Sequence, residues 1–529
     1  MNGPRKLVLA VMFVIFAASF SPASDIYIAQ NAAGANTGAD CADAYALSWF
    51  NNSSNWGSKS GRIGAGTTVH LCGTITSALT AEGSGTSGSP ITLLFDTATS
   101  GNISMAAIPA SGAIVVNNQG WITIQGGTIQ STNNGSAAGG YGNQVCSVGV
   151  YASGANNITV TGVSFLNLYV HTSTADNNAG GCSGVGAPAA VLFPSASGAI
   201  TISDNTCTYA ATCFNGDAGN SGTVTVNGNT CQNFDHCLGM GNNSDAASIM
   251  GPVYFYNNTV NSMVAWDSTG NVWHHDGIHL FAYCSDGNTY CAGTYWNNVY
   301  IYNNHFYGDP GANFNSWIFN EENIHNEWAF NNIIDSSARA LANGAGPVYG
   351  QGNTIHFVNN TFLGNASQGV TNLNLGGPSI TNQNNANCNA QLVSVATSDE
   401  SGNQSTSITA LGHNYYMSGN SNAFIWKGNF LAFSGFSTWE SDSGETNSAS
   451  STTCTINSNG TLQAGSIAIG GGTNLSSTCS GQPNPGLGAL CSDQAGNARP
   501  ATGNWDAGAL SYNSGTAPNP PTGLQATVE

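Results

Sequence analysis

A short phrase returns along this chain: alternating apolar residues, then a turn containing Asn or Gly, then another apolar position. It reads Ile200-Thr-Ile-Ser-Asp-Asn205-Thr-Cys, Val224-Thr-Val-Asn-Gly-Asn229-Thr-Cys and Val253-Tyr-Phe-Tyr-Asn-Asn258-Thr-Val. It continues as Val299-Tyr-Ile-Tyr-Asn-Asn304-His-Phe, Trp328-Ala-Phe-Asn-Asn332-Ile-Ile and Ile355-His-Phe-Val-Asn-Asn360-Thr-Phe. The Asn positions 205, 229, 258, 304, 332 and 360 are separated by 24, 29, 46, 28 and 28 residues. A strand–turn–strand unit returning at such a period predicts a parallel β-solenoid, in which each coil buries its apolar edge only when the next coil stacks on it. Asn is placed at the bend because it tolerates left-handed backbone angles and hydrogen-bonds across turns. Stacked Asn side chains can also bond one another along the coil axis, as amide ladders do in other stacked sheets.

Charge is scarce. Only 6% of residues are charged, yet 41% are hydrophobic, with 21 Phe, 18 Tyr and 11 Trp, enough for a core rather than a disordered chain. Seven basic residues against 26 acidic ones give a net charge of −19. That balance argues against nucleic acid and against attraction to anionic surfaces, and serves solubility.

The N-terminus carries Arg5-Lys6, an uncharged apolar stretch from Leu7 to Ala18, then Ser21-Pro-Ala-Ser24. This is the pattern of a secretory signal peptide, too short and wrongly flanked for a membrane span, with cleavage expected beside Ala23 or Ser24. No later segment has the apolar length of a span. The mature chain is expected outside the cell or on its surface.

Fourteen cysteines in an exported chain suggest seven disulfides. Proximity pairs Cys207 with Cys213, Cys231 with Cys237, Cys284 with Cys291, and Cys479 with Cys491; Cys41–Cys72, Cys146–Cys182 and Cys388–Cys454 complete the set. Cys207 and Cys231 hold equivalent repeat positions, so each small loop is expected to staple its own coil, cross-linking of adjacent rungs being the competing arrangement. Zinc-type cysteine clusters are not indicated, because no Cys-x2-Cys pair occurs.

The chain divides into a signal peptide (1–24), an N-terminal cap and first rungs (25–115), a parallel β-helix core (116–435), C-terminal rungs with a closing module (436–513), and a linker or tail (514–529). Asp40 to Phe50 is the candidate amphipathic helix covering the open end, where exposed strand edges would invite aggregation. Ile122-Thr-Ile-Gln-Gly-Gly127 and Ile158-Thr-Val-Thr-Gly-Val163 are earlier, weaker copies of the repeat. Leu411-Gly-His-Asn414, 54 residues after Asn360, is placed two rungs on. Pro518 to Glu529 resembles the start of a fibronectin-type domain or a linker.

The repeat, with the end segment Gly465-Ser-Ile-Ala-Ile-Gly-Gly-Gly-Thr-Asn-Leu, Asp493-Gln-Ala-Gly-Asn-Ala-Arg499-Pro and Trp505-Asp506-Ala-Gly-Ala, resembles secreted bacterial right-handed parallel β-helix proteins of the pectate-lyase-like superfamily. The resemblance spans most of residues 25 to 513. It implies an all-β, single-stranded right-handed parallel β-helix with an N-terminal cap and disulfide-stapled turns. It leaves function open, because this fold hosts lyases, hydrolases, epimerases and adhesins.

The densest titratable cluster is Trp273-His274-His275-Asp276-Gly-Ile278-His279-Leu280. Ile278 and Leu280 are set to face the core, which points His279 outward if the strand is regular. Aligning core pairs puts Leu238 and Met240 opposite Ile278 and Leu280, followed by Trp317 with Phe319 and Leu341 with Asn343. Two residues before each pair stand His236, Asp276, Asn315 and Arg339, preceded in the first two rungs by Asp235 and His275. That is a column of Asp, His, Asn and Arg up one side of the solenoid.

Rungs lie roughly 4.8 Å apart, so carboxylates on adjacent or alternate rungs fall about 5 or 10 Å apart, which brackets the retaining and inverting geometries of glycosidases. Asp235, Asp276, Glu321 and Glu322 are the candidate carboxylates. His275 or His279 is the candidate acid or base, with His236 beside them. Arg339 is the candidate for neutralising a substrate carboxylate or a developing enolate. Trp266, Trp273, Trp296 and Trp317, with His274 and Asn315, are candidate substrate contacts, since exposed rings suit sugar faces. Against this stands a structural reading, in which Asp, Asn and His at solenoid turns satisfy backbone donors. His275 and His279 lie roughly 13 Å apart along a regular strand and cannot share one metal ion unless Gly277 folds it. No cofactor is indicated; a bound calcium is admissible, though nothing points to it.

The chain departs from well-known relatives. It lacks the Asp-Asp pair, Gly-His-Gly and Arg-x-Lys of polygalacturonase-like hydrolases, and the several basic residues that accompany calcium ligands in pectate lyases. A neutral or weakly charged polysaccharide therefore fits better than a strongly anionic one. The expectation is a monomeric, secreted polysaccharide-active protein, a hydrolase or a lyase working at a groove on the solenoid side. The alternative is a non-catalytic cell-surface or adhesion scaffold binding carbohydrate. An ice-binding surface is not expected, because it needs a regular flat Thr array and the rung lengths are uneven.

Overall fold

The structure is a computed structural model describing residues 25–132, 146–168, 188–216, 219–243, 248–263, 275–283, 293–311, 314–321, 324–336, 340–343, 354–364, 369–372, 379–388, 393–395, 408–417, 423–426 and 429–513. Two long parallel sheets run the length of a solenoid. In the first, strands Asp25–Ala29, Thr68–Cys72, Ile91–Phe95, Gly120–Gln125, Asn156–Thr161, Ser197–Ser203, Val224–Asn227 and Val253–Tyr256 stack in order. Thr294–Tyr302, Ile324–Phe330, Thr354–Val358, Ser379–Gln383 and Ile408–Gly412 continue it. The second carries the rest of each coil, with Thr206–Asn215 against Thr230–Asn243 and the latter against His275–Tyr283. The fold is a parallel β-helix.

Its physical basis is the alternation of the repeat. Ile200 and Ile202 pair with Val224 and Val226, and these with Val253 and Phe255; all are buried, while the residues between them face out. Each such side chain contributes roughly 1.5–3 kcal/mol by leaving water, so the inward files supply the main driving force.

The turn is subtler than the expectation. The left-handed conformation belongs to the residue before each repeat Asn, with φ of 58° at Asp204, 56° at Asn257 and Asn303, 53° at Asn331 and 55° at Asn359. The repeat Asn itself turns inward and is buried. Its backbone N–H and side-chain amide both donate to the side-chain oxygen of the next one, as from Asn205 to Asn229 at 2.9 and 3.0 Å. The chain of bonds passes through Asn258, Asn304, Asn332, Asn360 and Asn385 to Asn414, confirming Asn414 two rungs beyond Asn360. Glu445 ends it, accepting from the Asn414 amide at 2.9 Å.

The N-terminal segment is mostly β-helix already, because Asp25–Ala29 pairs with Thr68–Cys72. The expected helix is a single α-turn, Leu47–Phe50, after a 3-10 turn at Cys41–Asp43; Leu47 and Phe50 close the core beside Trp56. The C-terminal segment returns along the solenoid, where Leu475, Cys479, Leu490 and Trp505 pack on Tyr302, Phe330 and Val358. Left-handed asparagines fasten this closing module from outside: Asn331 donates to the Ser492 carbonyl and Asn384 to that of Thr473.

Disulfides Cys41–Cys72, Cys207–Cys213, Cys231–Cys237, Cys388–Cys454 and Cys479–Cys491 form as expected. The two six-residue loops staple their own coils, with Cys207 and Cys231 in register. Cys182, Cys284 and Cys291, like the signal segment 1–24, lie outside the described residues. The disulfides fit an oxidising compartment. No helix among the described residues is long and apolar enough to cross a membrane.

Register files run through rungs of uneven length. Thr68, Thr92, Thr123, Thr159, Thr201 and Thr225 stand in one register file. The file two residues along reads His70, Leu94, Gln125, Thr161, Ser203 and Asn227, so these two files do not form a two-dimensional threonine array.

Candidate functional site: an Asp–His cluster across two rungs

The register places His236 opposite Asp276, Leu238 opposite Ile278 and Met240 opposite Leu280, as the core alignment requires. A corner precedes this stretch, where Asn233 takes φ 54°. Beyond it Asp235 and His236 turn into the same space as His275 and Asp276 from the next coil.

Polar contacts among the described residues knit the cluster. His275 Nδ1 lies 2.5 Å from Asp235 Oδ1, and His236 Nδ1 lies 3.0 Å from Asp235 Oδ2. His236 Nε2 reaches across the rung to Asp276 Oδ2 at 3.3 Å. His279 Nδ1 stands 3.9 Å from that same oxygen. Asp235, His275 and Asp276 are buried, whereas the side chains of His236 and His279 keep 12% and 13% of their surface exposed. The His236 and His279 rings are thus the cluster's solvent-facing members. The His279 ring stacks on His236 at 5.5 Å and is flanked by Phe281 and Phe319 at 5.2 and 4.8 Å.

Burial opposes charge on His236, but the Asp235 and Asp276 carboxylates on either side outweigh it and push its pKa up to about 10. Burial likewise opposes ionisation of Asp235, and the His236 and His275 rings overcome it, holding the carboxyl well below its usual range. Among the described residues, the ligand atoms of His236, Asp276 and His279 are the set close enough to share one metal ion, all within 4.8 Å of one another.

One rung further, the expected register fails. Opposite His275 lies Phe314, but opposite Asp276 lies Ser316, because Asn315 is an extra residue at an irregularity of the ladder. Ile278 therefore meets Ile318 rather than Trp317, and Ser316, not Asn315, stands beside Asp276. The Ser316 backbone N–H donates to Asp276 Oδ1 at 2.9 Å. Gly277 permits the close approach, since a Cβ there would sit 2.4 Å from the Trp317 carbonyl oxygen.

Trp296 and Trp317 are not sugar platforms. Both are fully buried, Trp296 donating its indole N–H to the Phe281 carbonyl and Trp317 packing on Phe306 and Phe314. Glu321 lies opposite Phe281 at the end of the strand Phe314–Glu321. Glu322, Arg339, Trp266, Trp273 and His274 lie outside the described residues. Sequence reasoning missed Ser316, Phe281 and Phe319; the ladder irregularity at Asn315 has no signature in the sequence. An open hollow of about 760 Å³ lies on rungs nearer the N-terminus, lined by Thr74, Asn102, Ser104, Gln130 and Leu166 among others, and contains no member of the cluster.

Fold and cluster together define a disulfide-stapled parallel β-helix with a buried Asp–His network opening on its side. No protein-family model matches the chain, and no curated protein matches it. Among solved structures it is similar to the pectate lyase Pel9A, at 16% identity and a TM-score of 0.36, over 94% of this chain and 98% of that one. It is also similar to a rhamnogalacturonan lyase, at 12% identity and a TM-score of 0.36, over 64% of this chain and 82% of that one. The assignment of the fold rests on the strand pairing described above.

Proposed function

We propose that this chain is a secreted polysaccharide-active protein that cleaves glycosidic bonds, by hydrolysis or β-elimination, at the face around His236, Asp276 and His279. The observation that carries the reading is the His236–Asp276–His279 contact set, an acid–base constellation assembled from two coils and opening to solvent through its imidazoles. A merely structural Asp–His pair needs no second, outward imidazole stacked on the first.

Burial redistributes the roles. Asp235 and Asp276 both point at His236 and lie under the surface, so they act as orienters of imidazole rather than as a pair of carboxylates flanking a scissile bond. His279, between Phe281 and Phe319, is the group placed to exchange a proton with a bound sugar, and the rings beside it suit apolar sugar faces. Glu321, Glu322 and Arg339 remain candidates for the partner roles of nucleophile activation and charge stabilisation. The net charge of −19 favours a neutral or weakly charged polymer.

The test is turnover of soluble polysaccharides by wild-type protein and by His279→Ala. The reading expects cleavage by the former and a loss of about 100-fold or more in the latter, the usual scale for a general acid or base. Equal turnover in both would remove the site assignment.

A further inference from the structure

We propose that His236, Asp276 and His279 bind a divalent first-row transition-metal ion of the zinc type. Two of the three donor separations lie near those around such an ion, and the three donor atoms all lie within 4.8 Å of one another. Donors around a zinc ion with bonds of 2.0–2.1 Å stand about 3.3–3.4 Å apart in a tetrahedral site. His236 Nε2 and Asp276 Oδ2 are 3.3 Å apart, and His279 Nδ1 is 3.9 Å from that oxygen, within a small side-chain rotation of the same shell.

The supporting shell is in place. A metal-binding imidazole is typically held by a carboxylate on its other nitrogen, which fixes the tautomer and aims the lone pair at the ion. Asp235 Oδ2 takes that position at 3.0 Å from His236 Nδ1, buried His275 holds the other Asp235 oxygen, and the ion replaces the Nε2 proton that faces Asp276, which is released to solvent. Asp276 is oriented in the same way, its Oδ1 accepting the Ser316 N–H while Oδ2 faces the two rings. Two of the three ligands thus have a positioning partner, and the His279 ring is held by its contacts with Phe281 and Phe319.

Donor chemistry decides the class of ion. Two nitrogens and one carboxylate match zinc and its neighbours, whereas calcium requires six to eight oxygens. Partial exposure of both imidazoles leaves a side of the site open to water or substrate. Along a single strand His275 and His279 are too far apart to chelate, and the ligand set arises only because adjacent coils bring His236 beside Asp276. An ion here would supply Lewis-acid polarisation or an activated water. The inference shares the site of the proposed function, but binding is read without any substrate.

The test is isothermal titration of chelator-stripped, full-length protein with zinc chloride, with metal content measured after dialysis. The expected result is one ion per chain at micromolar affinity or better, unaffected by millimolar calcium. His236→Gln and His279→Gln should each weaken binding at least tenfold while the circular dichroism spectrum is kept, and His70→Ala should bind as wild type. No uptake by wild-type protein, or equal uptake by folded His279→Gln, overturns the site. Stoichiometric binding by a protein silent on every polysaccharide supports the metal site and overturns the enzymatic reading. Turnover by a protein that takes up no zinc does the reverse.

Discussion

His236 reaches across one coil to Asp276, Nε2 to Oδ2 at 3.3 Å, while its Nδ1 is held by Asp235 in its own coil. One imidazole therefore bridges carboxylates from two rungs. Asp235→Asn would keep the shape but remove the charge that orients this ring. It is expected to lower turnover at least tenfold while leaving the melting temperature within a few degrees. Equal activity in a kinetic comparison would show that the network is structural.

The Asn ladder should be costly to interrupt. Asn332 accepts from Asn304 through both backbone and side chain, and donates to the Ile301 carbonyl and to Asn360, all out of water. Asn332→Ala strands several buried groups, each costing about 1–3 kcal/mol. A loss on the order of 3 kcal/mol or more is expected in urea unfolding, against less than about 1 kcal/mol for an exposed control such as Asn459→Ala.

Arg499 fastens the closing module. Its guanidinium is buried, donates to Asn331 Oδ1 at 2.9 Å and to the carbonyls of Asp506 and Gly508, and lies over Trp505. Arg499→Ala should cost on the order of 2–3 kcal/mol and open the segment after Gly465 to limited proteolysis. A wild-type digestion pattern would contradict this docking.

Disulfides should differ by loop length. Cys388–Cys454 spans 66 residues and Cys207–Cys213 spans 6. Chain entropy predicts a loss of about 4 kcal/mol for the first and about 2 kcal/mol for the second when each pair is replaced by Ser. Thermal unfolding of the two double variants checks the order.

Acid should destabilise the fold through histidines outside the cluster. Burial pushes His356 down to about 4, and also lowers His325 and His305, the last opposed by Asp335. His356 stacks on Trp328 at 3.8 Å and His325 on Tyr295 at 4.1 Å, both as neutral rings. Between pH 6.5 and 4 the unfolded chain binds protons that the native rings refuse. Their contribution is complete above about pH 6.5 and is lost as pH falls toward 4. His356 alone accounts for on the order of 2 kcal/mol after allowance for its partial exposure. His356→Gln should flatten the profile of stability between those values.

The fold was legible because its period lies in residues that the backbone itself requires. The Asn pairs announce each coil, one member taking the left-handed turn and the other the buried ladder. The pairings Leu238–Ile278 and Met240–Leu280 were legible because both strands alternate regularly there, and with them came the contact of His236 with Asp276. The next rung was not. The extra residue at Asn315 shifts Ser316 beside Asp276, and parity counting cannot detect one irregularity in a neighbouring strand. The tryptophans misled for another reason: Trp296 and Trp317 fill the solenoid interior, where ring size serves packing as well as it would serve a sugar.

The central claim is best tested by a product screen. Purified protein is incubated with a panel of neutral and uronic-acid polysaccharides, and reducing ends and the absorbance of unsaturated sugars are followed together, with His279→Ala alongside. The account predicts new reducing ends on at least one neutral or weakly charged polymer, absent with the variant; accompanying absorbance would identify elimination, and its absence hydrolysis. No product across the panel from a protein shown to be folded would contradict it.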